Sequence, residues 1–222
     1  MTTSHENPAS QIDANRFRVT IFGSARIQKD DRNYQQIFEL AKKIGENGID
    51  LITGGGPGIM EAANAGHGAG DLTNTSNSIG LNIVLPHEQT FNKHLDIKIE
   101  FNNFSERLLS FMKYSNVIIV APGGIGTCLE LFFAWQLTQV GHVPKMPIIL
   151  LNDMWTDLLK WIKSDVLANG YMSESDLDNI YVAENNKQAL DIILHEYGVC
   201  VVDGKNRCEH ENIDSLCIKN IH

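Results

Sequence analysis

A single doubly wound α/β domain, its sheet mostly parallel and covered by helices on both faces, is the architecture this 222-residue chain predicts. Three observations point there. Short runs of Val, Ile, Leu and Phe recur along the chain, too apolar for strands with one face in water. Stretches of helical length separate them. Glycine-rich turns follow three of these runs, where a strand has to bend abruptly into the next segment.

The elements read off in order. Strands are expected at Arg18–Phe22, Ile49–Thr53, Ser78–Val84, Ile97–Phe101, Asn116–Ala121 and Pro147–Leu151, with a short last one at Val199–Val202. Helices are expected at Tyr34–Asn47, Gly58–Ala69, Phe104–Tyr114, Thr127–Gln139, Met154–Ala168 and Lys187–Tyr197. Residues 16–202 then form one Rossmann-like domain. Met1–Asn15 and Asp203–His222 are polar tails to it. In open sheets of this kind ligands bind beyond the carboxyl ends of the strands, where the three glycine turns converge.

Composition narrows the partners. The residues are 43% hydrophobic and 20% charged, ordinary for a globular protein, and the formal net charge is -9. A field of that sign repels nucleic acid and anionic lipid, so neither is expected as a partner. Met1 to Asn15 lacks the apolar core of a signal peptide, and no apolar run reaches the roughly 20 residues that span a bilayer. Four cysteines without a CxxC pair fit a reduced, cytoplasmic setting. Cys208, His210, Cys217 and His222 cluster in the tail without the spacing of a zinc finger, and no metal is expected.

The most informative stretch is Pro122-Gly123-Gly124-Ile125-Gly126-Thr127-Cys128-Leu129-Glu130, which follows the run Val117-Ile118-Ile119-Val120-Ala121. It reads as strand, glycine turn, helix. The first N–H groups of such a helix have no intrahelical acceptor, and with the helix dipole they favour an anion. Gly123, Gly124 and Gly126 let a phosphate approach, and Thr127 offers a cap or a hydroxyl. Glu130 is expected in the first helical turn, beside whatever the turn holds. Gly54, Gly55, Gly56 and Gly58 form a second candidate cradle, with Ser24 and Met60 as further ligand contacts.

Counting removes two familiar phosphate motifs. A GxGxxG fingerprint started at Gly54 puts its third glycine on Ile59, and started at Gly124 on Leu129. Gly204-Lys205 precedes Asn206, so no P-loop is present.

Pro122 to Glu130 satisfies every fixed position of PGGxGTxxE, and in this it resembles the Lonely Guy family. These are cytokinin-activating phosphoribohydrolases, often labelled lysine-decarboxylase-like. Gly54-Gly55-Gly56-Pro57-Gly58-Ile59-Met60-Glu61 and Phe22-Gly23-Ser24-Ala25-Arg26 resemble the family's other segments, and the likeness runs from about Arg16 to Ala168. The resemblance implies a catalytic pair, here Arg107 and Glu130, and a homodimer. It implies hydrolysis of AMP or a cytokinin-type nucleoside 5′-monophosphate to free base and ribose 5-phosphate, with no cofactor. This chain departs at Leu108, where members commonly carry lysine, and at Leu129, where they commonly carry an acid.

The residue types suit that chemistry. Cleaving an N-glycosidic bond builds positive charge on the ribosyl carbon, which a nearby carboxylate stabilises while activating water. An arginine fork orients the carboxylate or holds ribose and phosphate oxygens. The alternative from the same fold is a carrier that holds a phosphorylated ligand, such as a molybdenum-pterin cofactor, without hydrolysing it.

Overall fold

Alternation within the strands decides how the chain is layered. In the computed structural model, which describes residues 12–13, 15–84, 91–202 and 205–206, seven strands form one parallel sheet. They are β1 (Arg18–Phe22), β2 (Asp50–Thr53), β3 (Ser78–Ile83), β4 (Ile97–Phe101), β5 (Val117–Val120), β6 (Ile148–Leu151) and β7 (Ile180–Ala183), in the order β4-β3-β2-β1-β5-β6-β7. Successive strand residues point to opposite faces. Val19, Ile21, Leu51, Val117, Ile119 and Ile149 therefore enter one core, and Ile52, Leu81, Ile118, Val120, Ile148 and Leu150 the other.

Six helices cover these faces: α1 (Arg32–Glu46), α2 (Ile59–Gly70), α3 (Phe104–Tyr114), α4 (Ile125–Gln139), α5 (Thr156–Trp161) and α6 (Asn186–Cys200). Ile37 of α1, Ala62 of α2 and Ile193 of α6 pack on the first face. Phe111 of α3, Leu131 and Trp135 of α4 and Leu158 of α5 pack on the second. The α/β, Rossmann-like architecture expected from the sequence is the one observed. Strand order reverses between β1 and β5, so the chain leaves β1 for one face and β5 for the other, opening a crevice at their carboxyl ends.

Three assignments differ from expectation by more than a helix end. The sheet's last strand is β7, which the sequence reading omits, and not Val199–Val202. β7 has four residues between Asp178-Asn179 and Glu184-Asn185, and as an edge strand paired only to β6 it leaves Tyr181 and Val182 exposed. Ile180-Tyr181-Val182-Ala183 is nevertheless a four-residue apolar run between polar neighbours, which the sequence reading passes over. The Val199–Val202 run is divided: α6 continues to Cys200, whose side chain reaches the core, and Val201–Val202 (β8) pairs antiparallel with Lys205–Asn206 (β9) outside the main sheet. Met154–Ala168 is not one regular helix. A 3-10 turn at Asp153–Trp155 leads into α5, and a π-helical turn follows at Ile162–Leu167.

A buried polar network joins β2, α2 and β3 beneath the crevice. Thr53 Oγ1 donates to Asn64 Oδ1 at 2.9 Å, and Asn64 Nδ2 donates to Ser78 Oγ at 2.9 Å. Asn92 Nδ2 reaches the same Asn64 Oδ1, also at 2.9 Å. Asn64 is fully buried, so removing its amide strands several partners away from water. Asn64→Leu is expected to cost on the order of 2–4 kcal/mol in a urea unfolding titration, well above an exposed substitution.

Candidate active site

Three turns meet at the β1/β5 crevice, and backbone hydrogen bonds tie them together. Ser24 N–H donates to the Pro122 carbonyl at 3.1 Å, and the Ser24 carbonyl accepts from Ile59 N–H at 3.0 Å. The first amide of α2 is thus committed to the β1 turn. Gly58 makes this approach possible. Its φ is +69°, and a side chain there would collide with the Ser24 carbonyl. On the other side of the same turn, Asn92 Nδ2 donates to the carbonyls of Gly55 at 3.1 Å and Gly56 at 3.0 Å. Gly55 N–H donates to Thr53 Oγ1 at 2.9 Å.

The turns enclose a cavity of about 480 Å³. Of the residues singled out in the sequence, Ser24, Gly54, Met60, Arg107, Gly124, Gly126, Thr127 and Glu130 line it. Gly55, Gly56, Gly58 and Gly123 do not, and their backbone shapes the wall from behind. Ile21, Phe22, Arg26 and Ile125 line it as well and were not chosen from the sequence as ligand contacts. Arg26 was legible in one respect, since it stands in the first glycine turn.

Helix α4 begins at Ile125, two residues earlier than expected, with Gly124 as its cap residue. Thr127 is therefore the third helical residue and does not cap; its buried side chain folds back over Gly123. Glu130 moves to the second turn, facing the cavity across from α3. The amides at the start of α4 remain oriented to the crevice, since a helix's first N–H groups lack intrahelical acceptors.

Arg107 and Glu130, 23 residues apart in the chain, come within 3.4 Å through Nη1 and Oε1. Asn103 starts α3 by accepting from Ser105 N–H at 2.7 Å, which places Arg107 one turn into the helix. Its Nε donates to the Leu81 carbonyl at 2.8 Å, and its guanidinium lies 5.0 Å from the Phe111 ring centre. Its Nη2 packs against Gly54 so closely that a Cβ at residue 54 would sit 2.6 Å away. Burial pushes the Glu130 carboxyl up to about 7, against the opposing pull of the Arg107 cation. Burial likewise lowers Arg107 from its usual value, and Glu130 works against that shift. The arrangement holds a carboxyl group that changes charge near neutral pH beside a fixed cation, in a pocket lined by the start of a helix.

The two departures from the family pattern have different surroundings. Leu108 is buried behind Arg107, whereas Leu129 is exposed beside Glu130. Among the described residues no group of three or more His, Cys, Asp and Glu is placed to hold a metal, and no helix is long and apolar enough to cross a membrane. Cys208, His210, Cys217 and His222 lie outside the described residues.

Comparison with known proteins places the chain in a family. Residues 60–193 match the family described as possible lysine decarboxylase. The cytokinin riboside 5′-monophosphate phosphoribohydrolase LOG of Oryza sativa subsp. japonica is 30% identical over 188 residues, covering 81% of this chain and 73% of its own. The cytokinin riboside 5′-monophosphate phosphoribohydrolase of Mycobacterium tuberculosis is 29% identical over 167 residues, covering 71% and 85%. Among solved structures, the molybdenum cofactor binding protein of Rippkaea orientalis superposes with a TM-score of 0.62 at 20% identity, covering 81% of this chain and 96% of that one. A likeness at that identity speaks for the fold alone.

Between the ordinary 4.5 and the raised value of about 7, folded Glu130 holds its proton while the unfolded chain has released it. Stability therefore falls as pH rises through that window. Glu130→Gln removes this dependence. Thermal melts of both proteins should show the variant gaining on the unaltered chain from pH 4.5 to pH 7. A constant difference would place the carboxyl at its ordinary value.

Proposed function

Since this chain belongs to the possible lysine decarboxylase, or Lonely Guy, family, we propose that it hydrolyses the N-glycosidic bond of nucleoside 5′-monophosphates. AMP and cytokinin-type nucleotides are the substrates, and free base and ribose 5-phosphate the products. The observation that carries this reading is the buried Arg107–Glu130 pair in a cavity walled by the α4 N-terminus. The name of the relatives supports the same reaction.

The chemistry follows from the site. The 5′-phosphate lies against Gly124, Gly126 and Thr127, and its binding holds the ribosyl carbon toward Glu130. As the bond to the base lengthens, positive charge grows on that carbon and the ionised Glu130 stabilises it at short range. Glu130 also takes a proton from the attacking water, whose oxygen bonds to the carbon as the bond to the base breaks. The base leaves with that electron pair and takes a proton from solvent, and Glu130 releases its own to solvent. Arg107, anchored on the Leu81 carbonyl, keeps the carboxylate aimed and favours its ionised form. No lysine is among the residues that line the cavity, so the decarboxylase label finds no Schiff-base candidate there.

The active unit is a homodimer in this reading. Ile125, Leu129 and Phe132 recur at helical spacing on α4 and are 86%, 47% and 40% exposed. Phe104 of α3 is half exposed too. An apolar stripe of this kind is covered when a second copy packs against it. Leu129 beside Glu130 places that contact next to the site.

Two measurements test these statements. Incubation with AMP and a panel of other nucleoside monophosphates, followed by chromatography, should yield free base. Glu130→Gln should lower kcat/KM on the order of 10³-fold, and the unaltered enzyme's kcat/KM should climb with pH to a plateau above about 7. Tight binding of a phosphorylated pterin, with no base released from any nucleotide by folded protein, would falsify hydrolysis in favour of the carrier. Light scattering should give twice the chain mass, and Leu129→Glu should shift the population toward monomer by placing a charge in the contact. A monomeric mass for the unaltered chain would refute the dimer.

A further inference from the structure

A phosphate met by backbone amides gains further affinity from a cation at contact range, where the charge-assisted hydrogen bond is stronger than a neutral one. The lining holds three charged residues: Arg26, Arg107 and Glu130. Arg107 and Glu130 offset each other at 3.4 Å, and Arg107 Nε is already committed to the Leu81 carbonyl. Arg26 is different. Among the described residues its exposed guanidinium has no hydrogen bond, ion pair or ring partner. Its backbone, in contrast, is pinned on both sides. Arg26 N–H donates to Ser24 Oγ at 3.1 Å, and its carbonyl accepts from Gln28 Nε2 at 3.0 Å.

The turn that fixes Arg26 is itself held between the other two, through Ser24 N–H on Pro122 and the Ser24 carbonyl on Ile59. A cation is therefore mounted on a turn that is hydrogen-bonded to Pro122, at the entry to the α4 turn. Its planar fork matches two phosphate oxygens, which a lone backbone cradle contacts only from the amide side.

We propose that Arg26 is a phosphate-binding residue of this site, gripping the 5′-phosphate across from the start of α4 and selecting 5′-monophosphates over nucleosides. The identity of the ligand's remaining parts rests on the phosphoribohydrolase reading above. Because Arg26 acts on the phosphate, remote from the bond that breaks, its loss raises KM more than it lowers kcat.

The test reads binding separately from turnover. The full-length chain is titrated calorimetrically with ribose 5-phosphate and, in a Glu130→Gln background, with AMP and with adenosine. Arg26→Gln should weaken ribose 5-phosphate and AMP on the order of 10- to 100-fold, shrinking the preference for AMP over adenosine by the same factor. Arg26→Lys, which keeps the charge and loses the fork, should recover part of that affinity. Equal affinity of Arg26→Gln and the unaltered chain, with matching circular dichroism, overturns the proposal. So does an absence of ribose 5-phosphate binding to the unaltered chain. Arg26-dependent AMP binding without base release would sink the hydrolase and leave this assignment standing; base release with KM indifferent to Arg26→Gln would do the reverse.

Discussion

Arg107 is nine-tenths buried, and the way its guanidinium is satisfied governs the carboxyl edge of the sheet. A cation removed from water needs acceptors and an opposing charge. Here the Leu81 carbonyl takes Nε, Glu130 faces Nη1, the Phe111 ring lies alongside, and a glycine at position 54 leaves space for Nη2. Each of these comes from a different element: β3, α4, α3 and the β2 turn. The requirement explains why a side chain of any size at residue 54 conflicts with the site, beyond the needs of the turn itself.

Glu130 is the other half of this constraint. Its carboxyl is displaced to about 7 because burial outweighs the attraction of the arginine. A carboxyl so poised exchanges a proton near neutral pH, which is the property a general base requires. The displacement costs folding stability in the same pH range, so the group is held in place by the surrounding structure against its own preference. Such a conflict between stability and site chemistry is what a working site shows and what a simple surface ion pair lacks.

Electrostatics in this molecule divide by distance. The net charge of -9 acts on approaching polyanions from afar and is screened by salt. Inside the cavity the α4 N-terminus and the arginines act at contact range, in reduced dielectric, where they outweigh the distant field. Helix α4 thus serves three ends at once. Its first residues wall the cavity, its second turn carries Glu130, and its outer face carries the exposed stripe of Ile125, Leu129 and Phe132.

Much of this was legible before any coordinates. Six of the seven sheet strands lie within a residue of their expected bounds, because the inner strands, buried on both faces, are apolar nearly throughout and the edge strand Ile97–Phe101 alternates cleanly. The Pro122–Glu130 turn and the candidacy of Glu130 were likewise readable, since strand, turn and helix there are neighbours in the chain. The edge strand Ile180–Ala183 carries an apolar run as the others do and is passed over; what the sequence does not show is that two of its four residues are exposed at the sheet edge. Nor does it show the start of α4, where two residues decided whether Thr127 caps the helix and which turn holds Glu130.

What the sequence by itself determined is therefore local: alternating elements, glycine turns at their junctions, and the residue types available to a phosphate and a ribosyl cation. Only the tertiary structure decided that Gly54 meets the cavity while Gly55, Gly56 and Gly58 support it, that Arg107 reaches Glu130 across 23 residues, and that the Arg26 side chain has no partner among the described residues. The physical reason is that burial and pairing are set by groups far apart along the chain. Periodicity reports which side of an element is apolar, and it carries no information on which element arrives to cover it.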